Sequence, residues 1–122
     1  MIGYVCIGTN DLARGTRFYD ELTGVLGARR IWETERFIAW GHSEADSLLA
    51  LIKPLDGRPA TVGNGTMVSL RADSRGQVDA VYNKAIALGG KDEGPPGPRG
   101  EDFYAAYFRD PEGNKLAVFY PG

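Results

Sequence analysis

The stretches "LALI" (Leu49–Ile52) and "LAVF" (Leu116–Phe119) each close a series of elements that occurs twice in this chain, and this duplication narrows its possible folds more than any other feature. The first series opens with "IGYVCIG", a short apolar, β-branched run that predicts a strand. Thr9-Asn10-Asp11 gives a helix-start signal with Asn10 or Asp11 as cap. Leu12, Phe18, Tyr19 and Leu22 then fall at helical spacing, and Gly24 and Gly27 mark the exit. "ARRIWET", "RFIAWG" and "SLLALIK" predict three strands, followed by the Gly- and Pro-rich loop "PLDGRPATVGNG".

The second series repeats the first. "TMVSLRA" predicts a strand, Ser74 with Gln77 forms a capping box, and Val78, Val81, Tyr82, Ala85 and Leu88 form an apolar helix stripe that stops at Gly89-Gly90. "KDEGPPGPRGED" is too dense in Gly and Pro for a regular interior strand and is expected to be a loop with at most a short edge strand. "FYAAYF" and "NKLAVFY" complete the unit. Superposing the halves places Tyr4 on Met67, the helix start at Asp11 on Ser74, and Leu26-Gly27 near Leu88-Gly89. The period is longer than a solenoid repeat and there are only two copies. The expected class is therefore α+β, a single domain over residues 1–122 with two βαβββ modules, at about 1–56 and about 66–122.

Composition excludes several function classes. With 14 basic and 16 acidic residues there is no cationic excess to neutralise phosphates or anionic lipid, so neither nucleic acid nor a membrane surface is an expected partner. No run approaches the roughly 20 apolar residues of a membrane span, and "MIGYVCIGTN" lacks a basic leader and cleavage site. The single cysteine, Cys6, cannot form an internal disulfide. A cytoplasmic location is the expectation.

The two βαβββ modules, the segment "TNDLARGTRFYDELTGVLGA", the stretch "LGGKDEGPPGPRG" and the closing "DPEGNKLAVF" together resemble the vicinal oxygen chelate superfamily, the group of glyoxalase I, bleomycin resistance proteins and extradiol dioxygenases. The resemblance implies a curled mixed and antiparallel sheet around a cleft, with metal held by up to four side chains from the first and last strands of each module. Carried onto this chain, those positions are Tyr4, Ala50, Met67 and Ala117, none a good ligand for a divalent ion. Alanine supplies no donor, methionine sulfur suits Cu(I), and a tyrosine must first lose a proton with an ordinary pKa near ~10. The one histidine, His42, lies in the polar turn "WGHSEAD" and reads as a solvated turn residue, so a two-histidine site cannot be built within one chain. No metal and no cofactor are expected.

Strand alternation assigns the faces. Tyr4, Cys6, Leu48, Ala50, Ile52, Met67, Ser69, Arg71, Ala117 and Phe119 share one face, while Val5, Ile7, Leu49, Leu51, Val68, Leu70, Leu116 and Val118 pack on the helices. Alternation does not assign Trp32, Trp40, Phe37, Phe103, Tyr104 or Tyr107. The candidate ligand-binding residues are Tyr4, Cys6, Ala50, Met67, Ser69, Arg71, Ala117 and Phe119. With Lys115 beside them, they suit a small apolar or aromatic molecule, and the resemblance implies a homodimer. Two other readings stay open: an enzyme, using unconventional metal ligands or acting without metal through Tyr4 or Cys6, and a non-catalytic interaction module. The acidic pairs Glu33/Glu35 and Glu44/Asp46 fall at strand ends and turns, where solvated charge is the default, and "GPPGPRGED" lacks the helix start of a phosphate cradle.

Overall fold

The computed structural model describes every residue from Met1 to Gly122. The elements run β1 (Tyr4–Gly8), α1 (Leu12–Val25), β2 (Arg29–Glu33), β3 (Phe37–Gly41), β4 (Leu48–Ile52), β5 (Val68–Arg71), α2 (Arg75–Ala87), β6 (Lys91–Pro98), β7 (Tyr104–Arg109) and β8 (Lys115–Tyr120). They divide into two compact units, Met1–Val62 and Gly63–Gly122, and the division falls within the Gly- and Pro-rich loop. The class is α+β, with one helix and one four-stranded mixed sheet in each unit.

In the first unit the strand order is β1-β4-β3-β2, with β1 and β4 parallel and the other pairs antiparallel. Asp11 caps α1, its carboxylate accepting from the Arg14 N–H at 3.0 Å. The helix ends in a Schellman motif: Gly27 N–H donates to Gly24 O and Ala28 N–H to Thr23 O, with Gly27 at φ 78°. Gly24, expected to mark the exit, instead lies inside the last turn; only Gly27 needs the left-handed conformation. Phe18, Tyr19 and Leu22 are buried from α1 and Ile38, Trp40, Leu49 and Leu51 from the sheet. The packing is close enough that a Cβ at Gly15 would overlap a Leu51 methyl.

The second unit repeats this order as β5-β8-β7-β6. Ser74 caps α2 by accepting from Gln77 N–H, and the Gln77 side chain answers by accepting from Asp73 N–H. The exit again is a Schellman motif, with Gly89 N–H to Ile86 O, Gly90 N–H to Ala85 O, and Gly89 at φ 98°. Val78, Val81 and Ala85 of the expected stripe are fully buried with Phe108, Leu116 and Val118. Tyr82 is only half-buried and donates its hydroxyl to Asp92 at 2.9 Å.

The segment expected to be a loop, "KDEGPPGPRGED", forms the eight-residue strand β6 at the sheet edge. Its pairing with β7 shifts register between Asp92 and Gly94 and again between Gly94 and Gly97, so its prolines are accommodated at an irregular edge. The β7–β8 turn is fixed by Asp110, which is buried. Its Oδ1 accepts from the backbone N–H groups of Glu112, Gly113 and Asn114, and its Oδ2 from the Asn114 amide, all at 2.9 Å.

Candidate functional site

Each sheet has one face covered by its helix and one turned away from it. In the first unit the register Tyr4↔Leu48, Cys6↔Ala50 and Ala39↔Ala50 places Tyr4, Cys6, Leu48, Ala50 and Ala39 together on the helix-free face. Ala39, Leu48 and Ala50 are buried there beneath Ile31 and Trp32. Tyr4 on one edge strand reaches Trp32 on the other, with ring centroids 5.6 Å apart and an interplanar angle of 84°. Ala50 is 1% exposed, whereas Tyr4 and Cys6 are exposed.

On the helix-free face of the second sheet, Ser69, Ala117 and Tyr107 lie side by side on β5, β8 and β7, and Arg71 lies beside Phe119. Phe119 stacks on Phe103, with centroids 5.4 Å apart and planes 18° apart. The Tyr107 ring is met by two cations, the Arg99 guanidinium at 5.6 Å and the Lys115 ammonium at 5.8 Å. Arg99 is held in place by bonds to Pro95 O and Pro98 O, beside Gly94 and Gly97 of β6. Ser69 and Arg71 are exposed, Phe119 and Tyr107 half-buried, and Ala117 buried. Met67 precedes β5, is exposed, and takes no part in the ladder.

Trp32, Phe103, Tyr107 and Arg99 are members of these faces that strand alternation did not assign. Trp40, by contrast, belongs to the helix side: its indole N–H donates to Asp20 of α1 at 2.9 Å, and its ring lies 5.5 Å from that of Tyr19. Asp20 also takes a bidentate bond from Arg30, which holds the Asp20 carboxyl below its ordinary range against the opposing effect of burial. Tyr104 also departs from the helix-free set, donating its hydroxyl to Asp79 of α2 at 2.7 Å. That bond, with burial, raises its pKa above the ordinary tyrosine value. Glu33 pairs with Arg30, and Asp46 accepts from the Ser43 hydroxyl. His42 is exposed and its Nε2 lies 2.9 Å from Leu26 O at the end of α1.

No group of three or more His, Cys, Asp or Glu side chains stands close enough together to hold a metal ion. The donors present do not fit a divalent ion either, because Ala50 and Ala117 carry no heteroatom in their side chains and Tyr4 would have to bind as phenolate. The faces instead offer apolar and π surface in both units, with cations concentrated in the second.

Two units of one βαβββ topology, each a helix-backed four-stranded sheet, define a class of paired-module α+β proteins. The family model of the Glyoxalase/Bleomycin resistance protein/Dioxygenase superfamily matches residues 1–118, and the chain belongs to that superfamily. A crystal structure of a glyoxalase/bleomycin resistance protein from Albidiferax ferrireducens T118 is 37% identical, with TM-score 0.90 over 98% of this chain and 97% of that one. A family enzyme from Burkholderia phytofirmans PsJN (22% identity, TM-score 0.77, 98% of each chain) shares the fold. So does lactoylglutathione lyase from Agrobacterium tumefaciens (22%, 0.69, 98% of this chain and 92% of that one). Comparison with curated proteins gave no match.

Proposed function

We propose that this superfamily member is a small-molecule binding protein that takes an apolar or aromatic ligand against the helix-free face of its second sheet and does so without a divalent metal. The observation that supports this reading is the make-up of the second unit's face, where Tyr107 lies opposite Ala117 and Phe119, two residues on, stacks on Phe103. Flat rings dock on such a surface by stacking, each aromatic pair contributing about 0.5–1.5 kcal/mol beyond area burial. A homodimer is part of the proposal, since each sheet ends in edge strands with one unpaired side that closed two-fold assembly covers, and so is a cytoplasmic location, which suits a free Cys6 thiol.

The test is thermal denaturation in the presence of a library of aromatic and fused-ring compounds. Ligands of on the order of micromolar affinity should raise the melting temperature. Ser69→Trp puts bulk beside Ala117 at an exposed position and should abolish the shift, as should Phe119→Ala in part. Glu44→Ala, in an exposed turn, should leave it intact. A library without a single hit would overturn the reading.

A further inference from the structure

We infer that the helix-free face of the second sheet is built for the anionic end of its ligand, and that the compounds it takes are planar aromatic carboxylates. The inference rests on the small-molecule reading above and specifies the ligand class. Parallel pairing of β5 with β8 puts Ser69 beside Ala117 and Arg71 beside Phe119. Lys115 stands two residues before Ala117 on the same face, about 7 Å along the strand. A central alanine is thus bounded by a hydroxyl, an ammonium and, one step further, a guanidinium, with the Tyr107 and Phe119 rings between them.

These cations differ in what they have left to offer. Arg99 gives N–H groups to Pro95 O and Pro98 O, and Arg109 is bound to Glu93 at 2.9 Å and to Gly113 O. Lys115 has only the Tyr107 ring as partner, and Arg71 and the Ser69 hydroxyl have no hydrogen bond or ion pair. Three hydrogen-bonding side chains therefore remain uncommitted on one face. Arg99, fixed over Tyr107, adds positive potential without competing for the ligand. Charged groups set about apolar rings favour a ligand that answers both: an arene to stack on Phe119, and a carboxylate for a cation at either end of that face, Arg71 beside Phe119 or Lys115 about 13 Å along β8 from it.

The experiment is calorimetric titration of the full chain with 2-naphthoate and with 2-naphthamide, which has the same ring and nearly the same shape but no charge. Naphthoate should bind at least about tenfold more tightly, an advantage that shrinks as salt is raised from low ionic strength. Lys115→Gln with Arg71→Gln should cost naphthoate more affinity than naphthamide and bring the two ligands to comparable affinity. Equal binding of both ligands by the unaltered protein, or a preference insensitive to salt, overturns the anionic-site inference and leaves the small-molecule reading standing. Failure of both ligands to bind overturns the inference, whereas the small-molecule reading falls only if the aromatic library also gives no thermal shift. The salt titration uses the unaltered chain, so its outcome does not depend on the variants folding.

Discussion

The rings of Tyr4 and Trp32, carried by the two edge strands of one sheet, meet edge to face at 5.6 Å over the paired alanines Ala39 and Ala50. Trp32 of this pair, with Ile31, packs against the buried Ala39, Leu48 and Ala50 and covers the space that the two small residues leave at the centre of the sheet. Trp32→Ala should remove that cover at a cost of about 1–3 kcal/mol, less than full burial of a tryptophan would imply because the ring is only half-buried. Denaturant titration measures the loss. Binding of small apolar probes to the first unit should rise in the same variant; unchanged stability would show that the ring contact contributes nothing.

Asp20 joins α1 to β2 and β3 through Arg30 and Trp40. Its folded-state pKa is depressed, first by the Arg30 hydrogen bond, so its contribution is complete above the unfolded carboxylate value near ~3.9 and is lost as pH falls through that value toward the folded one. The partly exposed pair is screened by solvent, which keeps the effect small. Asp20→Asn should lower the melting temperature at pH 7, with the gap to the unaltered protein closing below about pH 4. A gap that stays constant down to about pH 2.5 contradicts the assignment.

Asp110 satisfies four donors in the β7–β8 turn. Asp110→Ala removes this carboxylate from a partly buried turn, in which Gly113 N–H keeps its bond to the residue 110 carbonyl oxygen, and should cost about 1–3 kcal/mol, read as a lower denaturation midpoint. Asp110→Asn should cost less, because one oxygen still accepts from the backbone while its new amide faces the Asn114 amide.

Gly89 and Gly90 end α2 for different reasons. Gly89 has positive φ but open space around its Cβ position, so Gly89→Ala should cost only about 1–2 kcal/mol of conformational strain. At Gly90 a Cβ would lie 2.7 Å from Ala85 O and 2.8 Å from Arg109 O, both backbone atoms. Gly90→Ala should therefore be the more damaging of the two; comparable melting temperatures would refute that ranking.

The fold was legible because its signals are local and occur twice. Caps at Asp11 and Ser74, left-handed glycines at 27 and 89, and apolar runs at 48–52 and 116–119 each act within a few residues. Facing on the parallel strand pairs was legible for the same reason: β1 with β4 and β5 with β8 alternate without interruption. The aromatic residues on the remaining strands were not, and the bulges explain part of it. Arg30 pairs with Trp40 but Trp32 pairs with Ala39, so the shift between them turns Trp32 to the face opposite Arg30. The same irregularity in β6 hid how Gly94 and Gly97 make room for Arg99 over Tyr107, and it gave a strand to a segment whose prolines read as loop. A bulge is set by the strand opposite, which no local pattern encodes. Trp32 and Arg99, two of the residues that furnish the helix-free faces, sit beside such shifts.

The most direct test of metal-free binding is one titration performed twice: 2-naphthoate into protein dialysed against a chelator and certified metal-free by elemental analysis, and into protein supplied with zinc or nickel. The predicted result is saturable binding of on the order of micromolar strength in the metal-free sample, unchanged by adding either ion. Binding that vanishes after chelation and returns with about one ion per chain would contradict it.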